Sequence, residues 1–352
     1  LEIFRGCIRG CRFCQAGFCY RPIRAKSADV LCKQAIESLE DSGNSEITLA
    51  SLSTSDYREL EALADGLLDY CEPRKINLSL PSLRADNFSR DLMLRVQKVR
   101  KSGLTFAPEA GSQRLRDAIN KNVTEHEILE TCATAFSGGW NSVKLYFMLG
   151  LPTETDEDVA AIAELVNKIV YCWRQNATNK KRRLSINLAT AFFVPKPFTP
   201  FQWEKQTSPE EYLRRVHLLQ SCLTARGVDY RYHESDLSRL EAVLARGDRR
   251  LSKVLLRAHE LGCKLDGWDE YFRYDLWMQA FSDCGVDPEF YTTRGFAEDE
   301  ILPWQTIDIG VSRDFFLRER ALAYQSVTTP DCRTKCAGCG ARSLSERGVC
   351  DE

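Results

Sequence analysis

The chain has 352 residues, 43% hydrophobic and 28% charged, with a formal net charge of −2. That leaves room for one barrel-sized domain plus an appendage, excludes a disordered chain, and supplies no overall field for gripping nucleic acid or an anionic membrane. No apolar run reaches the length of a membrane span and the first residues lack the layout of a signal peptide, so a cytoplasmic protein with no membrane partner is expected.

The composition is unusual in its 15 cysteines. In a long chain of this kind they point to metal ligation rather than to a disulfide framework. Cys7, Cys11 and Cys14 crowd together with Cys19 behind them, and Cys332, Cys336 and Cys339 repeat the spacing with Cys350 behind. The solitary Cys71, Cys132, Cys172, Cys222 and Cys263 sit in apolar or helical surroundings and read as small buried hydrophobes. There is no initiator Met and the first cysteine motif begins at once, which raises the expectation of a longer parent protein.

From the start to about residue 205, short apolar runs alternate with amphipathic stretches. Strands are predicted at 1–4, 46–50, 75–80, 104–107, 142–149 and 184–193, and helices at 29–42, 56–70, 90–101, 125–136 and 156–173. This order predicts an α/β fold, a partial (β/α)6 TIM-like barrel with a parallel sheet, whose active site is built by the loops after the strands. A helical extension is expected over 206–330. It opens at Ser208-Pro209 and pauses at Gly227, with further helices at 236–246, 249–261 and 269–284. Its Trp268, Tyr271, Phe272, Trp277 and Phe281 are expected in the core. The tail, 331–352, is Cys-rich and almost without apolar residues, so a metal is the natural means of ordering it.

The front motif reads Arg5-Gly6-Cys7-Ile8-Arg9-Gly10-Cys11-Arg12-Phe13-Cys14. Three thiolates at spacings of four and three can ligate three irons of a cubane and leave the fourth without a protein ligand, where ferredoxin runs supply four. An open corner is what a catalytic centre needs. Gly6 and Gly10 let the backbone curl round an inorganic core. A structural zinc knot is the plainer alternative. Four further motifs fall at predicted strand ends: 51–56 (Ser-Leu-Ser-Thr-Ser-Asp), 106–121 around Pro108-Glu109-Ala110-Gly111-Ser112, 147–155 around Gly150-Leu151-Pro152-Thr153-Glu154-Thr155, and 193–203 around Val194-Pro195-Lys196. Taken alone, the first is a loop in which Ser55 or Asp56 caps the next helix, and the third is a strand-to-helix turn.

Cys-x3-Cys-x2-Cys with Phe13 before its last cysteine resembles the signature of the radical S-adenosylmethionine (SAM) superfamily, and the strand-end motifs follow in that family's order. The resemblance implies a [4Fe–4S] cluster on Cys7, Cys11 and Cys14, with SAM chelating the open iron. An electron from a donor such as flavodoxin or ferredoxin would cleave SAM to methionine and a 5′-deoxyadenosyl radical. It implies SAM contacts at Phe13, Ser51, Ser53, Glu109 (ribose hydroxyls), Gly150, Pro152 and Val194, with Arg114 or Lys121 meeting the SAM carboxylate. No catalytic residue beyond the cluster is indicated.

Residues 238–250, Leu302-Pro303-Trp304 and Asp331-Cys332-Arg333 extend the resemblance to cobalamin-binding-domain-linked radical SAM proteins of unassigned substrate. In that group a cobalamin domain precedes the barrel; cobalamin is expected here only if such a domain, absent from this chain, supplies it. Cys332, Cys336, Cys339 and Cys350 are expected to hold a second [4Fe–4S] cluster or a zinc ion, against the alternative of an unligated tail. The substrate is not legible. Methyl or methylthio transfer to RNA or protein fits the resemblance, although methylthio transferases add a C-terminal RNA-binding domain and no strand-rich stretch follows residue 230. The alternative from another class is a non-catalytic iron–sulfur or zinc protein that binds RNA or a ribosomal partner. The basic run 179–183 reads as a solvated loop rather than an RNA contact, and His126, His217, His233 and His259 read as structural or surface residues.

Overall fold

The computed structural model describes residues 1–80, 95, 96, 99 and 104–344. Most of the helix predicted at 90–101 lies outside them, as does Cys350. The chain opens with a parallel bridge to Ala50: the Ile3 N–H donates to the Ala50 carbonyl at 3.0 Å and the Ala50 N–H to the Leu1 carbonyl at 2.7 Å. Just beyond, β1 (Phe4–Arg5) pairs antiparallel with β2 (Arg24–Ala25). The strands β3 (Glu46–Thr48) and β4 (Asn77–Ser79) are parallel. A second parallel sheet runs in the order β5 (Leu104–Glu109), β6 (Ser142–Leu149), β7 (Ser185–Phe192), β8 (Val228–Tyr232).

Strands and helices alternate as the α/β barrel requires. The helices are α1 (Ala16–Cys19), α2 (Ala28–Ser42), α3 (Leu60–Arg74), α4 (Gln113–Ala118), α5 (Glu125–Ser137), α6 (Asp156–Asn176) and α7 (Pro209–Cys222). After β8 come α8 (Ser235–Arg246), α9 (Leu251–Leu261), α10 (Tyr274–Asp283) and α11 (Arg313–Tyr324). Local chemistry sets several boundaries. Thr124 and Glu127 form a reciprocal capping box at the start of α5, Ser208 caps α7 ahead of Pro209, and α2 ends on left-handed Gly43. On β6 the alternation is clean: Val143, Leu145, Phe147 and Leu149 are buried while Lys144 and Tyr146 are exposed. The buried set joins Ile128, Val159, Val166, Ile186, Leu188 and Val216 in one core between the sheet and α5, α6 and α7. One face of the sheet is thus sealed, and the strand ends are held rigidly where the site must form.

Several expectations need correction. The helix predicted at 56–70 begins only at Leu60, because the Asp56 carboxylate is taken by Arg9 and Ser53 and its backbone turns in a short 3-10 segment, Thr54–Asp56. The sheet does not stop near 205. The strand β8, unforeseen because its residues are only half-buried or exposed and carry no core periodicity, extends it to Tyr232. The helix α11, capped by Ser312, was also unforeseen; it buries Phe315, Phe316 and Ala323 around the charged Glu319. Trp277 and Phe281 are core, but Trp268 and Tyr271 are 65% and 49% exposed, since the helix starts at Tyr274 rather than 269. No helix among the described residues is long and apolar enough to cross a membrane.

Candidate active site

Cys7, Cys11 and Cys14 lie half-buried in the loop between β1 and α1, and all three are free thiols. Gly6 has φ +95°, and a Cβ there would lie 2.6 Å from the Tyr20 carbonyl, so the loop can turn this tightly only on glycine. Burial, and next the neighbouring Cys11, push the Cys7 thiol up to about 12 and the Cys14 thiol up to about 11. The N–H groups of Arg9 and Gly17 point at the Cys7 and Cys14 sulfurs and pull the other way. These are the terms of a metal site: three sulfurs near enough to feel one another's charge, costly to ionise without a cation, and already offered backbone donors. Cys19 is raised by burial alone, without coupling to the other three, which sets it outside the group.

Among the described residues no three Cys, His, Asp or Glu side chains converge as they would round a single ion. A cubane does not ask for that, since each thiolate takes a different iron. The three free thiols of this loop would suit three irons of such a cluster.

Glu109 ends β5 in the left-handed region, φ +67°, a conformation rare for a residue with a side chain and often found at functional sites. Lys121 Nζ donates to its Oε1 at 3.1 Å, and both charges act on the Cys14 thiol. Arg114 is placed differently. It donates to the Thr153 carbonyl at 2.8 Å and pairs with Asp158 at the start of α6, with 43% of its side chain exposed. Of the two cations considered for the SAM carboxylate, Lys121 is the one brought beside the cysteine loop.

The remaining predicted positions surround the same end of the barrel. Ser51 shares a hydrogen bond with Thr54 at 3.0 Å, the buried Ser53 hydroxyl donates to Asp56 at 2.6 Å, and the Ser53 carbonyl accepts from the Asp56 N–H at 2.9 Å, so both side chains are occupied and the Ser53 carbonyl already has one partner. Phe13 and Met148 pack on Ala110, Leu115, Ile119 and Phe193. Gly150, at φ +87°, lies against Phe192 and Thr207, Pro152 is half-buried in the same turn, and Val194 is buried after β7. The turn is pinned by Glu154, which accepts from the Gly150 N–H at 2.7 Å and from Arg215 at 2.5 Å. Burial outweighs both partners and pushes the Glu154 carboxyl up to about 7.

Sequence reasoning missed the charges that hold the loops. Asp56 takes a bidentate bond from Arg9 (2.9 and 2.5 Å). Arg116, fully buried, donates to the carbonyls of Ala110, Gly111 and Val123 and clamps the turn after Glu109. Arg12 is equally buried between two of the cysteines. An arginine in a single sequence reads as surface, and no local signal marks these. The tail cysteines are also brought close. The Cys332 N–H donates to the Ile8 carbonyl at 3.1 Å, and Cys332 and Cys339 line a small cavity with Cys7. Cys339 is buried and Cys336 exposed.

Residues 1–166 match the radical SAM superfamily. That stretch is similar to the radical SAM domain, and members of that family are enzymes that use a [4Fe–4S] cluster and SAM. The chain is 33% identical over 286 residues to an uncharacterized protein of Methanocaldococcus jannaschii, covering 81% of this chain and 60% of that protein. It is 26% identical over 261 residues to the tRNA-2-methylthio-N(6)-dimethylallyladenosine synthases of Janthinobacterium sp. (strain Marseille) and Herminiimonas arsenicoxydans, covering 70% of this chain and 54% of each. The chain thus spans a little over half the length of these relatives.

Proposed function

We propose that this protein is a radical SAM enzyme whose cluster sits on Cys7, Cys11 and Cys14. The observation that carries the reading is the set of three free thiols in one glycine-turned loop, with the Glu109–Lys121 pair acting on Cys14. A cluster held by Cys7, Cys11 and Cys14 would supply the one-electron chemistry for reductive cleavage of SAM to methionine and a 5′-deoxyadenosyl radical, the electron coming from a donor such as flavodoxin or ferredoxin. The protein's part is to bind and orient. Glu109 offers acceptors to the ribose hydroxyls and Lys121 a cation to the SAM carboxylate. The backbone carbonyl of Ser51, and the second lone pair of the Ser53 carbonyl, are offered to its amino group. Phe13, Gly150, Pro152 and Val194 line the adenine side.

Methyl or methylthio transfer to RNA is the substrate reading we favour, supported by the names of the two synthases whose similarity covers 70% of this chain. We further propose an auxiliary cluster on the tail, with Cys332, Cys336 and Cys339 as three of its ligands. Support comes from the repeated spacing and from the docking of that segment on the first cysteine loop.

Anaerobic reconstitution with iron and sulfide, followed by dithionite and SAM, tests the main reading. Formation of 5′-deoxyadenosine that is lost in Cys11→Ala supports it. A fully clustered protein that yields none overturns it in favour of a non-catalytic iron–sulfur protein. Iron counts in Cys336→Ala, which should fall by the content of one cluster while 5′-deoxyadenosine still forms, test the second site.

A further inference from the structure

We propose that Arg12 and Glu319 form a positioning pair that holds the cysteine loop in its ligating shape before any cluster is present and keeps the charge beside Cys11 balanced. The second half of this inference rests on the reading that Cys7, Cys11 and Cys14 carry a cluster; the first half does not.

Arg12 stands between Cys11 and Cys14 and is 0% exposed. Its Nε and Nη2 donate to Glu319 Oε2 at 3.2 and 3.0 Å, and its Nη1 to the Ala118 carbonyl at 2.8 Å. Nη2 also reaches the Val327 carbonyl at 2.8 Å, while the Arg12 backbone N–H donates to the Ile119 carbonyl at 2.9 Å. Glu319 on α11 is 2% exposed, and its carboxylate is steadied by the Thr329 hydroxyl at 2.9 Å. The circuit closes through Asn120. Its Nδ2 donates to the Gly10 carbonyl at 3.0 Å, and its Oδ1 accepts from the Thr329 N–H at 2.8 Å. Three stretches far apart in sequence, 10–12, 117–120 and 319–329, are thereby fixed to one another through buried polar groups with few alternative partners.

Burying two opposite charges is expensive, and a hydrophobic pair would commonly serve stability as well. Retaining the pair makes sense if the charges act on something nearby. Arg12 directly follows Cys11 in the buried part of that loop. With Glu319 in place the guanidinium is paired with an opposite charge at 3.0 Å; removing one partner leaves the other in a medium that screens poorly. The partner helix lies outside the residues that match the family model, 1–166, so this chain draws part of its loop support from beyond that domain.

The charge argument makes a signed forecast that simple scaffolding would not. In the reconstituted full chain, Glu319→Gln leaves the guanidinium uncompensated and should raise the cluster's midpoint potential. Arg12→Gln leaves the carboxylate and should lower it. A tenfold change in the reduction equilibrium in each direction, about 59 mV for a one-electron couple, is expected. The neutral double variant, Arg12→Met with Glu319→Leu, should return close to the wild-type potential. Shifts of the same sign in the two single variants, or none, overturn the charge role.

In metal-free protein, amide hydrogen exchange over residues 8–14 should quicken at least tenfold in Glu319→Gln while β6 and β7 stay protected. Unchanged exchange overturns the positioning role, and this readout stands even if the cluster reading fails. Should the single charge variants not fold, Thr329→Val removes only the hydroxyl that steadies Glu319. Faster exchange at 8–14 then supports the pair, and unchanged exchange refutes it.

Discussion

Replacing Arg116 with methionine is the sharpest probe of how the Glu109 turn is built. The guanidinium donates to the Val123 carbonyl at 3.0 Å, the Ala110 carbonyl at 3.1 Å, the Gly111 carbonyl at 2.7 Å and Gln113 Oε1 at 3.0 Å. Methionine keeps most of the apolar stem and deletes every donor. Hydrogen bonds to charged groups contribute roughly 1.5–3 kcal/mol each, so three lost carbonyl bonds amount to about 5 kcal/mol. Part is returned because a charge no longer has to be buried, a burial severe enough to hold the Arg116 group below its ordinary value. A net loss on the order of 3 kcal/mol, concentrated in the segment from Glu109 to Val123, is expected from those opposing terms. At about 1.4 kcal/mol per factor of ten, amide exchange in that segment should accelerate on the order of a hundredfold. The α9 and α10 helices should keep wild-type protection. SAM affinity of the clustered protein should fall with it, because the Arg116 bonds hold the two carbonyls that directly follow left-handed Glu109. Exchange in Glu109–Val123 within about threefold of wild type would refute the reasoning, since such a change is worth well under 1 kcal/mol.

Two other outcomes are expected. Glu154 binds its proton more tightly folded, with a value of about 7 against an ordinary 4.5, so its contribution is complete below about pH 4.5 and is lost as pH rises through 7. That gap corresponds to about 3 kcal/mol; urea unfolding from pH 5 to 8 should show the decline in wild type and a flatter profile in Glu154→Gln, and equal slopes would count against it. At Gly111 a Cβ would lie 2.3 Å from the Ile162 nitrogen and 2.6 Å from the Ala161 carbonyl carbon. Gly111→Ala must therefore push α6 from the β5 end, costing about 2–3 kcal/mol, while Gly267→Ala, with nothing within 4 Å, should be neutral in the same thermal melts.

Much of the candidate site was legible because its chemistry is written in neighbouring residues. Cys7, Cys11 and Cys14 share one loop, so their spacing alone implies a common ligand, and Glu109 and Gly150 fall at strand ends that period-two burial makes visible. Five of the six predicted strands appear with boundaries shifted by a few residues. The first, predicted at 1–4, is realised as the parallel bridge to Ala50 followed by Phe4–Arg5. The misses share one cause. Strand β8 and helix α11 owe their existence to partners far off in the chain: the edge of a sheet leaves no periodic apolar record, and α11 docks through Phe315, Phe316 and the buried Glu319 on distant segments.

The sequence by itself determined the alternation of strands and helices, the sealed face of the sheet and the three-cysteine loop, since each depends on residue types within a turn or two of one another. Only tertiary structure decided which charges are buried. Arg12, Arg116 and Glu319 read as surface residues until the chain closes over them, because desolvation depends on what covers a side chain and not on what precedes it. The same closure set Lys121, rather than Arg114, beside the cysteines.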